Sequence, residues 1–305
     1  RVAGVVAQIK WLTIGSRGEG YMKNLLNDLK KKNNNKTLDQ EQTRNRIWND
    51  WLEKRQKPAE KAIEKAVYNY LRGAVKRYQK RINEYVVSRK NGNAQITRAV
   101  IDWQSLLGLA DEVQILQKTM EKHWVGVWAL AGNEELDNVY AMAGETRPLD
   151  LIFGSRKAAV EQSDLTAYKI AETNAKKIKK AVESGLLEGQ SVDEIAQEID
   201  TRTGFGLGRA KMIARTEATK AVNMATDEAY NTARKEGINI RKQWLSSRDD
   251  RVRDTHLELD GQIVDTSLDF VVPSTGDFGP SPARMNTPEE NINCRCTIIP
   301  VIEDV

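Results

Sequence analysis

The apolar residues of this chain change their repeat at Gly237. Upstream they recur every three or four residues, the period of one helix face. Downstream, Ile238, Ile240, Lys242 and Trp244 alternate with Asn239, Arg241, Gln243 and Leu245, the period of a strand. A chain patterned in this way is helical for most of its length and gains a sheet only near its end. The predicted fold class is mainly α in the first half. The second half is α+β, with a small antiparallel sheet.

Within the helical part, Ile63, Val67, Tyr70, Leu71, Ala74, Tyr78, Ile82 and Tyr85 mark the apolar face of one long helix, with Pro58 in its first turn. Lys61, Lys65, Arg72, Lys76, Lys80 and Arg81 form the opposite, basic face. Asn91-Gly92-Asn93 reads as a turn. A second apolar repeat runs from Ile96 and Val100 through Trp103, Leu116, Met120 and Trp124, with a break at Gly108. The repeat from Tyr168 to Val182 predicts a helix capped by Gly185. Ser191-Val192-Asp193-Glu194 is a capping box, in which the Ser hydroxyl and the Glu carboxylate satisfy each other's free amides. An Ala-rich helix follows from about residue 209 to 236. Beyond it, Asp260-Gly261 marks a hairpin turn, Phe270-Val271-Val272 a strand, 275–286 a Gly/Pro loop, and Cys294–Val301 a closing strand.

A length of 305 residues suggests two domains. A Gly-richer stretch at 132–156 places the boundary: residues 1–150 as a basic, Trp-rich helical region, and 151–305 as the second domain. Net charge is +4, but residues 1–90 hold 22 Lys+Arg against 9 Asp+Glu, and the remainder is acidic. Six of the 7 tryptophans also lie in the first half. More apolar area than a lone helix can bury suggests that this region contacts another protein or another copy. Its basic face is a candidate for packaged DNA, or else a solvated face. The longest apolar runs, such as Val2–Ile9 and Trp124–Gly132, fall well short of the ~20 residues of a membrane span. Two cysteines are too few for a disulfide framework, and no secretory signal is present, so synthesis inside a cell is expected. The chain begins with Arg1, which reads as processing, an upstream fusion or a partial sequence. No P-loop, dinucleotide fingerprint or zinc-finger spacing is present.

The unusual polar residues concentrate in the last third. Ala214-Arg215-Thr216-Glu217 lies in the Ala-rich helix, and Trp244 in the strand. Asp249, Arg251, Arg253 and His256 follow, then Asp260-Gly261, a Gly/Pro loop from Gly276 to Pro282, and Asn293-Cys294-Arg295-Cys296. In this order and spacing, the segment of about 155–300 resembles the Mu F-like head morphogenesis family of tailed phages. The resemblance implies a minor capsid protein of a bacteriophage or prophage, present in a few copies in the virion near the portal. Its implied partners are the portal and other capsid proteins, with no membrane, and its implied place of synthesis is the bacterial host cytoplasm. Some relatives carry a C-terminal toxin domain; a chain ending at Val305 is expected to lack one. The family is also thought to share a distant fold relationship with ADP-ribosyltransferases. Arg215-Thr216-Glu217 falls on a helix rather than on the strands such an active site needs, so no catalytic role is expected for it.

His256, Cys294 and Cys296 are a candidate zinc set. On a strand, positions 294 and 296 share a face, and thiolate with imidazole suits zinc. Asp249, Asp265 or Glu289 are candidates for a fourth ligand. The alternative is that both thiols pack with Ile298. Ser246 and Ser247 lack the surroundings of a nucleophile elbow, so a polar network is expected around His256 in place of catalysis. Glu217, beside the Ala214–Ala218–Ala221–Ala225 stripe, is costly to bury unpaired, and Arg251, Arg253 and Arg295 are its predicted partners.

Overall fold

The computed structural model describes residues 37–90, 101–148, 151 and 156–302. Trp11, the Lys-Asn run before residue 37, the turn at 91–93, Ile96 and Val100 lie outside the described residues.

Helix α1 (Thr37–Trp51) continues into α2 (Lys57–Lys90) through one π-helical turn at Leu52–Gln56. The helix therefore does not start near Pro58 but runs through it. Proline lacks the N–H that would bond back four residues, so an unbroken α ladder is impossible at this point. The widened turn just before it absorbs the mismatch, with the Lys57 amide donating to the Leu52 carbonyl. Helix α3 (Trp103–Leu107) and α4 (Leu109–Ala143) are separated at Gly108, as the sequence predicts; its φ of 49° is left-handed. Helix α4 continues through the Gly-richer stretch as far as Ala143. Helices α5 (Arg156–Leu187), α6 (Val192–Thr203) and α7 (Leu207–Lys235) follow.

One detail of this region follows the sequence reading and one departs from it. The Ser191–Glu194 capping box forms as expected. Gly185, however, is not a cap. It lies inside α5, where a Cβ would come within 2.4 Å of Ile195 Cγ1. Its missing side chain is what lets α6 pack against α5.

The sheet is built on β1 (Ile240–Leu245), flanked antiparallel by β2 (Ile263–Asp265) and β5 (Thr297–Ile302). Helix α8 (Asp254–Leu259) interrupts the path from β1 to β2. A separate hairpin pairs β3 (Phe270–Val271) with β4 (Phe278–Gly279), and α9 (Pro288–Asn291) precedes the last segment.

Helix α7 is the spine of the fold: α2, α4, β1 and β5 all pack on it. Ala210, Ala214, Ala218, Ala221, Ala225 and Ala229 along α7 are wholly buried, so neighbouring backbones approach closely. Trp48, Trp51, Trp124 and Trp128 are buried within the chain itself. Trp103 is half-buried, with the Lys179 ammonium 5.2 Å from its ring centre. The inference of a partner from surplus tryptophan therefore loses its basis at these positions, because α2, α4 and α7 supply the cover.

Buried charges join the helices. Glu112 is fully buried and takes two hydrogen bonds from Arg77, at 2.8 and 2.7 Å, and one from Arg81 at 3.0 Å. Arg81 thus turns inward from the basic face to which the helical spacing assigned it. Lys61, Lys65, Lys76 and Lys80 remain exposed. Glu135 holds Arg55 at 2.6 Å and the Tyr230 hydroxyl at 2.8 Å. Lys242 shares the buried face of β1 with Ile240 and Trp244, as its alternation predicts, and donates to Asp227 and the Pro280 carbonyl, each at 2.8 Å.

Removing one partner from a buried pair leaves the other charge uncompensated. Glu112→Ala is expected to lower unfolding free energy by about 3–5 kcal/mol in denaturant titration. A loss under about 1 kcal/mol would class the clamp with surface ion pairs.

Candidate functional site

Residues 294–296 are buried, and with Asn293 before them they belong to no strand, so their polar groups need other partners. Helix α7 supplies most of them. Thr216, Thr219 and Asn223, spaced by three and four, share one of its faces. Thr216 Oγ1 accepts from the Asn293 amide at 3.0 Å, and Thr219 Oγ1 donates to the Cys294 carbonyl at 2.9 Å. Asn223 Nδ2 donates to the Cys296 carbonyl at 3.0 Å, while its Oδ1 accepts from Thr297 Oγ1 at 3.0 Å. The Arg295 carbonyl accepts from the Trp48 indole of α1 at 2.8 Å. Asn293 has a φ of 60°, the left-handed region that asparagine tolerates better than most residues, and it redirects the chain from α9 into this segment.

The segment delivers both cysteines to His256. Nδ1 of His256 lies 3.3 Å from Cys296 Sγ and 3.8 Å from Cys294 Sγ. The three ligating atoms fall within 4.8 Å of one another, and all three residues are buried. The convergence does not arise from a shared strand face, because both cysteines precede β5. Nε2 of His256 lies 3.0 Å from Oε2 of Glu290, a charge contact rather than an aligned hydrogen bond. Thr255 Oγ1 donates to the same carboxylate oxygen at 2.8 Å. Backbone amides point at both sulfurs: Cys296 N–H at Cys294 Sγ, and Ser247 N–H at Cys296 Sγ, each at 3.4 Å. The Trp244 ring meets His256 edge-on, with centroids 5.5 Å apart.

Burial opposes charge throughout this cluster, but the neighbours oppose burial. Against its desolvation, hydrogen bonds from Cys296 and His256 bring the Cys294 thiol well below the ordinary range. Cys296 is pushed well above it, by burial and then by its neighbouring thiolate. His256 is lowered by desolvation, but Cys294 and Glu290 outweigh this and raise it overall. Two sulfurs and one imidazole nitrogen are a soft ligand set, suited to zinc among the divalent metals.

The other singled-out residues fall into place around this segment. Arg295 and Asp249 form a two-point pair, at 2.8 and 2.9 Å. Arg253 donates to the Ile292 carbonyl, and Arg251 is exposed, 3.9 Å from Asp250. Asp260 gathers Arg44, Arg248 and the Ser246 amide at 2.7–2.9 Å. Arg215 reaches Glu60 of α2 at 3.1 Å.

The predicted pairing of Glu217 with Arg251, Arg253 or Arg295 does not occur. Its carboxylate accepts from Thr166 of α5 at 2.9 Å and lies 3.3 Å from Lys220. The reason is angular: one residue beyond Thr216, Glu217 points about 100° around the helix from the face that meets the terminal segment. The candidate fourth ligands are also engaged elsewhere. Asp249 is held by Arg295, Asp265 by Ser267 and Arg234, and Glu289 is exposed. Glu290 is the acidic residue that the sequence reading missed. Pro288 at the first helical position sets the phase of α9 and turns Glu290, not Glu289, toward His256.

Comparison with known proteins follows the same stretch of chain. Residues 176–299 match the family model described as Phage Mu protein F like protein. Minor head protein GP7 of Bacillus phage SPP1 is 32% identical over 123 residues, covering 40% of this chain and 39% of that protein. An NAD(+)--arginine ADP-ribosyltransferase, EFV, of Enterococcus faecalis is 29% identical over 276 residues, covering 85% of this chain and 55% of that protein. An uncharacterized protein of Haemophilus influenzae is 31% identical over 129 residues, covering 42% of this chain and 25% of that protein. This chain thus spans about half or less of each curated relative. No solved structure matches.

Asn223 satisfies two buried groups of the terminal segment at once. Asn223→Ala leaves the Cys296 carbonyl and the Thr297 hydroxyl without those partners, at about 1–3 kcal/mol for each unmet group. Chemical unfolding should show a loss within that range or above it. An unchanged midpoint would mean that the segment is held by other contacts.

Proposed function

Because residues 176–299 belong to the Mu F-like family of phage head proteins, we propose that this chain is a minor capsid protein of a tailed bacteriophage or prophage. It is made in the host cytoplasm and built into the head in several copies near the portal, where it binds portal and other capsid proteins and assists assembly. The observation that carries this reading is the family match, joined by the likeness to the minor head protein of phage SPP1. The site chemistry supports it. Arg215 pairs with Glu60 of α2, Glu217 with Thr166 of α5, Thr216 with the Asn293 amide, and Asp249 with Arg295, so these polar groups are spent within the fold. Zinc at His256, Cys294 and Cys296 is the cofactor this reading includes.

A second, enzymatic reading is favoured by the likeness to the Enterococcus transferase, which spans most of this chain. Incubation of the full chain with NAD+ and an arginine-bearing acceptor decides it; the head-protein reading expects no acceptor modification. For the head itself, quantitative mass spectrometry and cross-linking of purified particles should find a few copies per head, linked to portal. Absence from particles would overturn the assignment.

The exposed Lys61, Lys65, Lys76 and Lys80 on α2 favour an added contact with packaged DNA. Reversing all four to Glu should weaken duplex binding and flatten its salt slope by up to about 0.9 per lost phosphate contact. An unchanged slope would assign this face to solvent or to protein.

A further inference from the structure

Resting on the zinc assignment above, we infer that the ion is a folding clasp. It is gripped by His256 Nδ1 and the two sulfurs, it fastens the lead-in of β5 to α8, and the last part of the chain depends on it for its fold.

The span it closes is long and weakly built. His256 lies 38 and 40 residues before Cys294 and Cys296. Between them are β2 with 3 residues, β3 and β4 with 2 each, and the four-residue α9. These elements are short, and a link between the ends of a long loop removes much of the freedom of the unfolded chain. The clasp also sits where the terminal strand must be held. β5 pairs on one side only, with β1, and its lead-in has no strand partner.

The surroundings of the three ligands fit a bound dication. Backbone amide hydrogens aim at both sulfurs, which holds the two side chains in place and suits sulfur as a ligand. The imidazole is used from both sides. Nδ1 faces the sulfurs and Nε2 faces Glu290, which Thr255 holds in place. A carboxylate on the far nitrogen of a metal-bound histidine fixes the ring and raises its basicity. Among the described residues three side chains, two sulfurs and one imidazole, converge within 4.8 Å of one another. The Trp244 ring and the burial of all three ligands set the cluster apart from bulk solvent, which suits a structural ion.

The experiment uses the full, reduced chain. Zinc content is measured after purification, and cobalt(II) is titrated into chelated protein as an optical probe. Thermal melting and hydrogen exchange of the Thr297–Ile302 amides are then compared with and without EDTA. The expected result is stoichiometric zinc, a thiolate-to-cobalt charge-transfer band, and a lower melting temperature with faster β5 exchange once the ion is removed. Substituting the cysteines risks misfolding, so Glu290→Gln is the informative variant. It should weaken cobalt affinity by about 10–100-fold while leaving helix content intact. Metal that binds but changes neither melting nor exchange overturns the clasp and leaves the zinc assignment standing. A chain that takes up neither zinc nor cobalt removes the assignment and the clasp together. Neither outcome touches the head-protein assignment, which is decided on particles.

Discussion

A buried stretch of backbone that lies in no strand must find hydrogen bonds outside a ladder, here largely among side chains, and the rest of this fold is arranged around that demand. Residues 293–296 meet it through Thr216, Thr219 and Asn223 of α7 and Trp48 of α1. Each unmet buried group would cost about 1–3 kcal/mol, so losing this set would take away much of the ~5–15 kcal/mol that a domain holds in reserve. Once the segment is fixed, β5 has its register on β1 and both cysteines face His256. The helix that forms the core's spine is also the template for the terminal strand.

This template ties the two halves of the sequence together. Trp48 and Arg44 are one turn apart on α1. The first donates to the Arg295 carbonyl, and the second reaches Gln243, the Trp244 carbonyl and Asp260. Arg215 completes the arrangement from the other side by pairing with Glu60. Residues that look like anonymous members of a basic, aromatic region therefore help to build the site.

Periodicity made the elements legible, because it records which face is buried. The long helices and the buried face of β1, Lys242 included, follow from it, while Gly108 and the Ser191–Glu194 capping box were legible from residue type. Its blind spots have particular causes. Pro58 looked like a helix start, since spacing alone cannot distinguish a new helix from one that widens for a single turn. Gly185 looked like a cap, because its purpose is the approach of Ile195, a neighbour in space. Glu217 was assigned the wrong partners because its true one, Thr166, is a common residue on a helix with no motif. Arg215, Asp249, His256 and the cysteines were visible as chemistry-bearing types. Thr219, Asn223 and Glu290 were not, since serving a carbonyl or an imidazole leaves no mark on composition.

The π turn at Leu52–Gln56 has a consequence for how this chain can vary in length. A π turn is an α-helix carrying a surplus residue. Elsewhere between Trp48 and Tyr78, adding or deleting a residue would swing everything downstream by about 100° and turn the buried stripe of α2 toward water. Within the wide turn, one deletion could be taken up by tightening to α geometry, with Arg44 and Trp48 still aimed at the terminal segment. Pro58 opposes that tightening, because its ring would then collide with the preceding turn. The proline thus acts as a length gauge, holding the helix at the one count that keeps both of its grips in phase.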